Sequence, residues 1–163
     1  MKLTVTIDPI DTTAVNAQEL SAIALPLLES RGLQGAWELE CRVVDVAEMQ
    51  ALNTQAQGRN EPTDILSFPI HFATNEVDPH TVLPSDGPQL LGSLVICPEV
   101  LATQAGEKGI TLKEELDFML AHGVRHLLGD DHDDNAQWVE RTQHDQFSPR
   151  TDVIHGTPPN RLV

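Results

Sequence analysis

Three histidines crowd into one short stretch, His122-Gly123-Val124-Arg125-His126-Leu127-Leu128-Gly129-Asp130-Asp131-His132. His122 and His126 stand four residues apart. On an α-helix that spacing leaves them about 40° apart on one face, so both imidazoles reach one transition-metal ion, with zinc the first candidate. Gly129 permits a sharp turn out of the helix, after which His132 returns as a third ligand. Three protein ligands leave a fourth position open, which is the layout of catalytic rather than structural zinc, and such an ion lowers the pKa of water toward ~7. Three imidazoles also suit nickel or iron. Asp130 and Asp131 follow as carboxylates able to orient the imidazoles, and Asp131 is taken as the catalytic one. Arg125 falls on the other flank of the histidine pair, nearer solvent, where it would bind an anionic substrate.

A histidine pair at this spacing is common by chance, and the glycine-terminated turn plus a third histidine is what makes the pattern specific. His71, His80, His144 and His155 read instead as solvated side chains of loops and tail. Zinc proteases share the His-x-x-x-His-x-x-Gly-x-x-His spacing. Their general base is a Glu directly after the first histidine. Here that position is Gly123, which moves no proton, so peptide hydrolysis by that route is excluded. A glycine inside a helix costs about 1 kcal/mol relative to alanine, so Gly123 is expected to serve close approach of a backbone or a substrate.

The elements that must hold these residues follow from periodicity and end signals. Residues 112–128 form the strongest helix, opened by a Thr111–Glu114 capping box and closed by Gly129. Leu112, Leu116, Met119, Leu120, Val124 and Leu127 make its sheet-facing stripe, which leaves the histidines at the edge, where a cleft opens. Strands are expected over 2–8, 37–44, 64–68 and 91–97, the last apolar enough to be central. Further helices are expected over 17–31 with a kink at Pro26, over 45–53 capped by Asp45, over 99–108 with Pro98 at its first position, and over 135–146 capped by Asp133 and Asp134. Residues 55–63 and 73–89 read as loops. The order predicts an α+β fold, a small mixed sheet of about four strands packed by about five helices. One domain spans 1–146, and 147–163 is a loosely structured tail.

Composition narrows the function. A chain of 163 residues suits one core. Its net charge is −15 with only ten Lys and Arg, which excludes a broad phosphate-binding surface of the DNA-binding kind. A small cationic site built from a metal and one or two arginines remains compatible with that balance. No apolar run approaches the roughly 18 residues of a membrane span, so no membrane association is expected. The start, MKLTVTIDPI, alternates like a strand rather than showing an apolar run and cleavage site, and Cys41 and Cys97 sit in strand-like runs as reduced core thiols. Both point to a cytoplasmic location.

The histidine stretch, read as His-Gly-x-x-His-Leu-x-Gly-x-Asp-His, resembles the signature of the YbeY family of bacterial metal-dependent endoribonucleases. Pro62-Thr63-Asp64-Ile65-Leu66-Ser67-Phe68-Pro69 and Leu91-Gly92-Ser93-Leu94-Val95-Ile96-Cys97 resemble two of its strands, and Arg42-Val43-Val44-Asp45 with Leu52-Asn53 also fits. The resemblance covers roughly residues 35–145. It implies zinc on His122, His126 and His132, a single-stranded RNA substrate drawn from ribosomal RNA precursors, a part in rRNA maturation and ribosome quality control, and a ribosomal or ribosome-associated protein as partner. Other metal-dependent hydrolysis, or a ribosome-associated metal-binding role with little catalysis, are the alternatives.

The sequence departs from the family pattern in three places, one of them a loop with two changed positions. The loop arginine of the family is Gln57 here, and Arg59 falls at a family lysine, from which it would contact and neutralise substrate phosphate. Ser93 replaces an Asp, and Arg125 replaces a Leu.

Overall fold

The computed structural model describes residues 1–9, 12–70 and 87–130. Asp131, His132, the helix expected over 135–146, the tail and most of the loop expected over 73–89 lie outside the described residues.

Eight elements follow one another: β1 (Lys2–Asp8), α1 (Ala17–Ser30), β2 (Ala36–Val43), α2 (Val46–Gln57), β3 (Ile65–Pro69), β4 (Gln89–Ile96), α3 (Pro98–Lys108) and α4 (Leu112–Leu127). The strands form one mixed sheet in the order β1-β2-β4-β3. β1, β2 and β4 are parallel, and β3 lies antiparallel to β4 at the edge. The fold is α+β as expected, with four helices among the described residues.

Strand alternation divides the sheet's two faces. Trp37, Leu39 and Cys41 are buried, while Glu38, Glu40 and Arg42 between them are exposed. The buried set joins Leu94 and Ile96 of β4 and packs under α1 and α4, around Leu20, Ala24, Leu28, Leu120, Val124 and Leu127. A smaller core on the other side joins Met49 of α2 to Val44, Leu66, Val95 and Cys97. Both cysteines are free and buried.

The helix ends obey local chemistry. Asn16 and Asp45 each accept from a backbone N–H three residues on, Glu19 N and Glu48 N, and so cap α1 and α2. Helix α1 continues past Pro26 to Ser30 and closes with Leu33 N donating to Leu28 O and Gly32 N to Glu29 O, a paired Schellman end. Helix α2 runs four residues beyond the expected stop at Asn53, because Thr54 to Gln57 contain no breaker and Gly58 is the first residue to take the left-handed cap. Strand β3 includes Pro69, which an edge strand tolerates because its missing N–H faces away from the ladder.

β4 carries one irregularity that fixes its packing. The β2–β4 register pairs Glu38 with Leu90 and Leu39 with Gly92, so Leu91 is an extra residue. Gly92 has φ +153°, and a Cβ there would stand 2.4 Å from Phe68 O and 2.8 Å from Leu127 Cδ2. Only glycine lets β3 and α4 close on this point.

A candidate metal centre on helix α4

Helix α4 is built to be rigid. Thr111 Oγ1 accepts from Glu114 N at 3.1 Å, and Glu114 Oε2 accepts from Thr111 N at 2.8 Å, so the expected capping box is closed. Leu116, Met119, Leu120, Val124 and Leu127 are buried on the sheet as expected. Leu112 is not; it is 40% exposed, because it sits in the first turn beyond the sheet's reach. At the other end Gly129, at φ +83°, reverses the chain. Its N–H donates to His126 O, and Asp130 N donates to Arg125 O, which closes a second Schellman end directly after the histidine pair.

Gly123 explains why α4 lies so close to the sheet. A Cβ at this position would stand 2.7 Å from Ile65 Cδ1, 2.9 Å from Leu94 Cδ2 and 3.2 Å from Ser67 Oγ. Ser67 Oγ also donates to Gly123 O at 3.3 Å. The close approach expected of this glycine is therefore made by β3 and β4 side chains rather than by a backbone or substrate. A Glu, as in the zinc proteases, has no room to leave the helix here.

His122 and His126 lie next to this contact. Their Nε2 atoms stand 3.0 Å apart, with ring centroids 4.5 Å apart and planes at 81°. His126 is buried and His122 half-buried. Two imidazoles on one tetrahedral zinc, with Zn–N near 2.05 Å, hold their nitrogens about 3.3 Å apart. The pair thus fits a shared ion with a small opening of the rings. Among the described residues no group of three metal-ligating side chains converges, and His132, the expected third ligand, lies outside them.

The other expected site residues are spread more widely. Arg125 does not stand on a solvent flank; it is 5% exposed. The parallel packing of α1 against α4 encloses it, and with Ile23, Pro26, Leu27, Asp117 and Ala121 it lines a cleft of about 330 Å³. Asp130 is ion-paired with Arg31 at the end of α1, which ties the exit of α4 to its neighbour. Asp131 lies outside the described residues. Ser93, at the position of a family Asp, pairs in register with Glu40, and its Oγ donates to Glu40 Oε2 at 2.8 Å. Glu40 belongs to the exposed face of β2, so Ser93 points away from α4 and the histidines.

Arg59 is half-buried just after α2. It makes no ion pair among the described residues, whereas Arg31, Arg42, Lys108 and Lys113 each do. The segment that carries it runs into β3 through the buried Thr63 and Asp64. Asp64 Oδ1 accepts from Ile65 N at 2.7 Å, and Asp64 O accepts from Cys97 N. These bonds pin the start of β3 beside Gly123. Sequence reading named Asn53 only as a match to the family and missed that Gln50, Asn53 and Thr54 of α2 bond this segment; the signal available was an Asn four residues from the buried Met49 on one helix face.

Fold and site together define a class: a single α+β domain whose sheet carries a helix-borne histidine pair, packed through a glycine, at its edge. Comparison with known proteins places the chain within it. The family model described as Endoribonuclease YbeY matches residues 6–148. A Halorhodospira halophila protein described as Endoribonuclease YbeY is 40% identical over 125 residues, 77% of this chain and 75% of that one. One of the same description from Thermobifida fusca is 33% identical over 153 residues, 92% of each chain. A third, from Mycolicibacterium gilvum, is 38% identical over 118 residues, 72% of this chain and 65% of its own. The solution structure of a Thermotoga maritima protein superposes with a TM-score of 0.48 at 19% identity, over 93% of this chain and 98% of that one. The chain belongs to the YbeY endoribonuclease family.

Proposed function

We propose that this protein is a zinc-dependent endoribonuclease that cuts single-stranded RNA, acting on ribosomal RNA precursors in rRNA maturation and ribosome quality control. The observation that carries the reading is the convergence of His122 Nε2 and His126 Nε2 at 3.0 Å on the helix of a chain whose relatives are described as endoribonucleases. His122, His126 and His132 would hold the ion. When bound, zinc supplies Lewis acidity toward a phosphodiester oxygen and makes water more acidic.

The remaining work falls to the chain's own groups. Arg59, with no carboxylate partner among the described residues, neutralises phosphate charge as it develops. Asp131, directly before the third histidine, is assigned to proton handling. Arg125 is enclosed between α1 and α4, so direct contact with RNA is assigned to Arg59 rather than to it. The charge of −15 repels free RNA, and selectivity is therefore assigned to a ribosomal or ribosome-associated partner that presents the substrate. Cytoplasmic location belongs to the same reading, since ribosomal RNA precursors are its substrate. No helix among the described residues is long and apolar enough to cross a membrane.

The test is cleavage of a single-stranded oligoribonucleotide by zinc-loaded protein. Cleavage is expected, and both chelation and His126→Ala are expected to abolish it. Cleavage that survives either treatment refutes the assignment.

A further inference from the structure

Three side chains of α2 reach the segment that carries Arg59, each to a different residue. Thr54 Oγ1 donates to Arg59 O at 3.2 Å. Gln50 Nε2 donates to Asn60 O at 3.3 Å and to Asn60 Oδ1 at 3.1 Å. Asn53 Nδ2 donates to Glu61 O at 2.8 Å. Positions 50, 53 and 54 have the spacing of one helix face. Gly58, in the left-handed region, folds the chain back against that face.

Asn53 is the central member and the most costly one. It is 1% exposed, and its Oδ1 is buried without a hydrogen-bond partner among the described residues. A half-satisfied amide at the edge of the smaller core opposes folding, and an apolar residue beside Met49 would be better there on stability alone. Its other half explains its presence. The Arg59 guanidinium has no ion pair among the described residues to fix it, so its position is set through the backbone of its segment.

We infer that Asn53, by donating to the Glu61 carbonyl, is a positioning residue that holds the 58–63 segment against α2 and so places Arg59 for its contact with the RNA phosphate. This rests on the proposed role of Arg59, and it concerns a residue that touches neither substrate nor metal.

Two measurements on the full chain test it. The first is limited trypsin digestion of the native protein, with the Arg59–Asn60 cut followed by mass spectrometry. Asn53→Ala is expected to speed that cut by roughly tenfold, the size of one buried hydrogen bond, without a comparable change at Arg42. The second is a cycle of Asn53→Ala and Arg59→Ala read as kcat/KM on a single-stranded oligoribonucleotide. Asn53→Ala is expected to lose roughly tenfold in the native background and nothing further once Arg59 is gone. Gln50 is partly exposed, so Gln50→Ala is expected to fold and to move both readouts in the same direction by less; it carries the cycle if Asn53→Ala does not fold.

Losses that multiply in the double variant show a merely structural role and overturn the inference. So does an unchanged cut at Arg59, which is read whether or not RNA is cleaved. Native protein that leaves RNA intact refutes the proposed function instead, which keeps the two failures apart.

Discussion

Replacing Gly123 by alanine sets two opposed effects against each other, and the structure decides between them. Alanine gains about 1 kcal/mol of helix propensity over glycine in a helix interior. The same methyl would enter at 2.7 Å from Ile65 Cδ1 and 2.9 Å from Leu94 Cδ2. Ordinary carbon contacts begin near 3.5 Å, so both groups must retreat by roughly 0.6–0.8 Å. Both ends must move against close-packed neighbours, because Ile65 is 4% exposed and Leu94 fully buried. Overpacking of this kind costs about 1–3 kcal/mol. Packing offsets or exceeds the propensity gain, and the net loss is up to about 2 kcal/mol. For a chain of this size that lowers Tm by up to about 8 °C, which differential scanning calorimetry resolves. Ile65→Val removes the nearest atom, so the same substitution in that background should recover about 1 kcal/mol. A rise in Tm for Gly123→Ala, or costs that add within about 0.3 kcal/mol in the double variant, would refute the packing argument.

Other outcomes follow from single contacts. Lys108→Ala should destabilise by about 2–3 kcal/mol in urea titration, because it leaves Glu115, 1% exposed and bonded to Lys108 Nζ at 2.6 Å, buried without its cation. Burial pushes the Cys41 thiol up to about 12, so it should resist iodoacetamide at pH 8.5 in the folded protein and react on unfolding. The same shift has a sign in stability: below pH 9 both states keep the proton, and between pH 9 and about 12 only the unfolded chain releases it. Stability should therefore fall across that window, and Cys41→Ala should flatten the fall. Metal analysis of protein purified without a metal-affinity tag should find about one zinc per chain, lost in His122→Ala and in His126→Ala; retention by both variants rejects the centre.

Much of this architecture was legible because its causes are local. The capping box at Thr111, the N-cap at Asp45, and glycines just past helix ends act within a few residues of themselves. The strand alternation of Trp37 to Arg42 likewise states which side chains turn inward. The i, i+4 spacing of His122 and His126 fixed their shared direction before any packing was known. What failed depended on neighbours distant in the chain. Arg125 reads as a flank residue on its own helix, but α1 packs alongside and encloses it. The ion pair of Asp130 with Arg31, ninety-nine residues earlier in the chain, was likewise not legible along the sequence.

By itself, then, the sequence determined the α+β class, the helix that carries the histidine pair and the absence of a protease base at Gly123. Only the tertiary structure decided why Gly123 is glycine, since Ile65 and Leu94 reach it from strands far away in the chain. It alone brought the Nε2 atoms to 3.0 Å and bound the Arg59 segment to α2. Spacing along a helix fixes direction, whereas distance across a core depends on which side chains the sheet brings up against it.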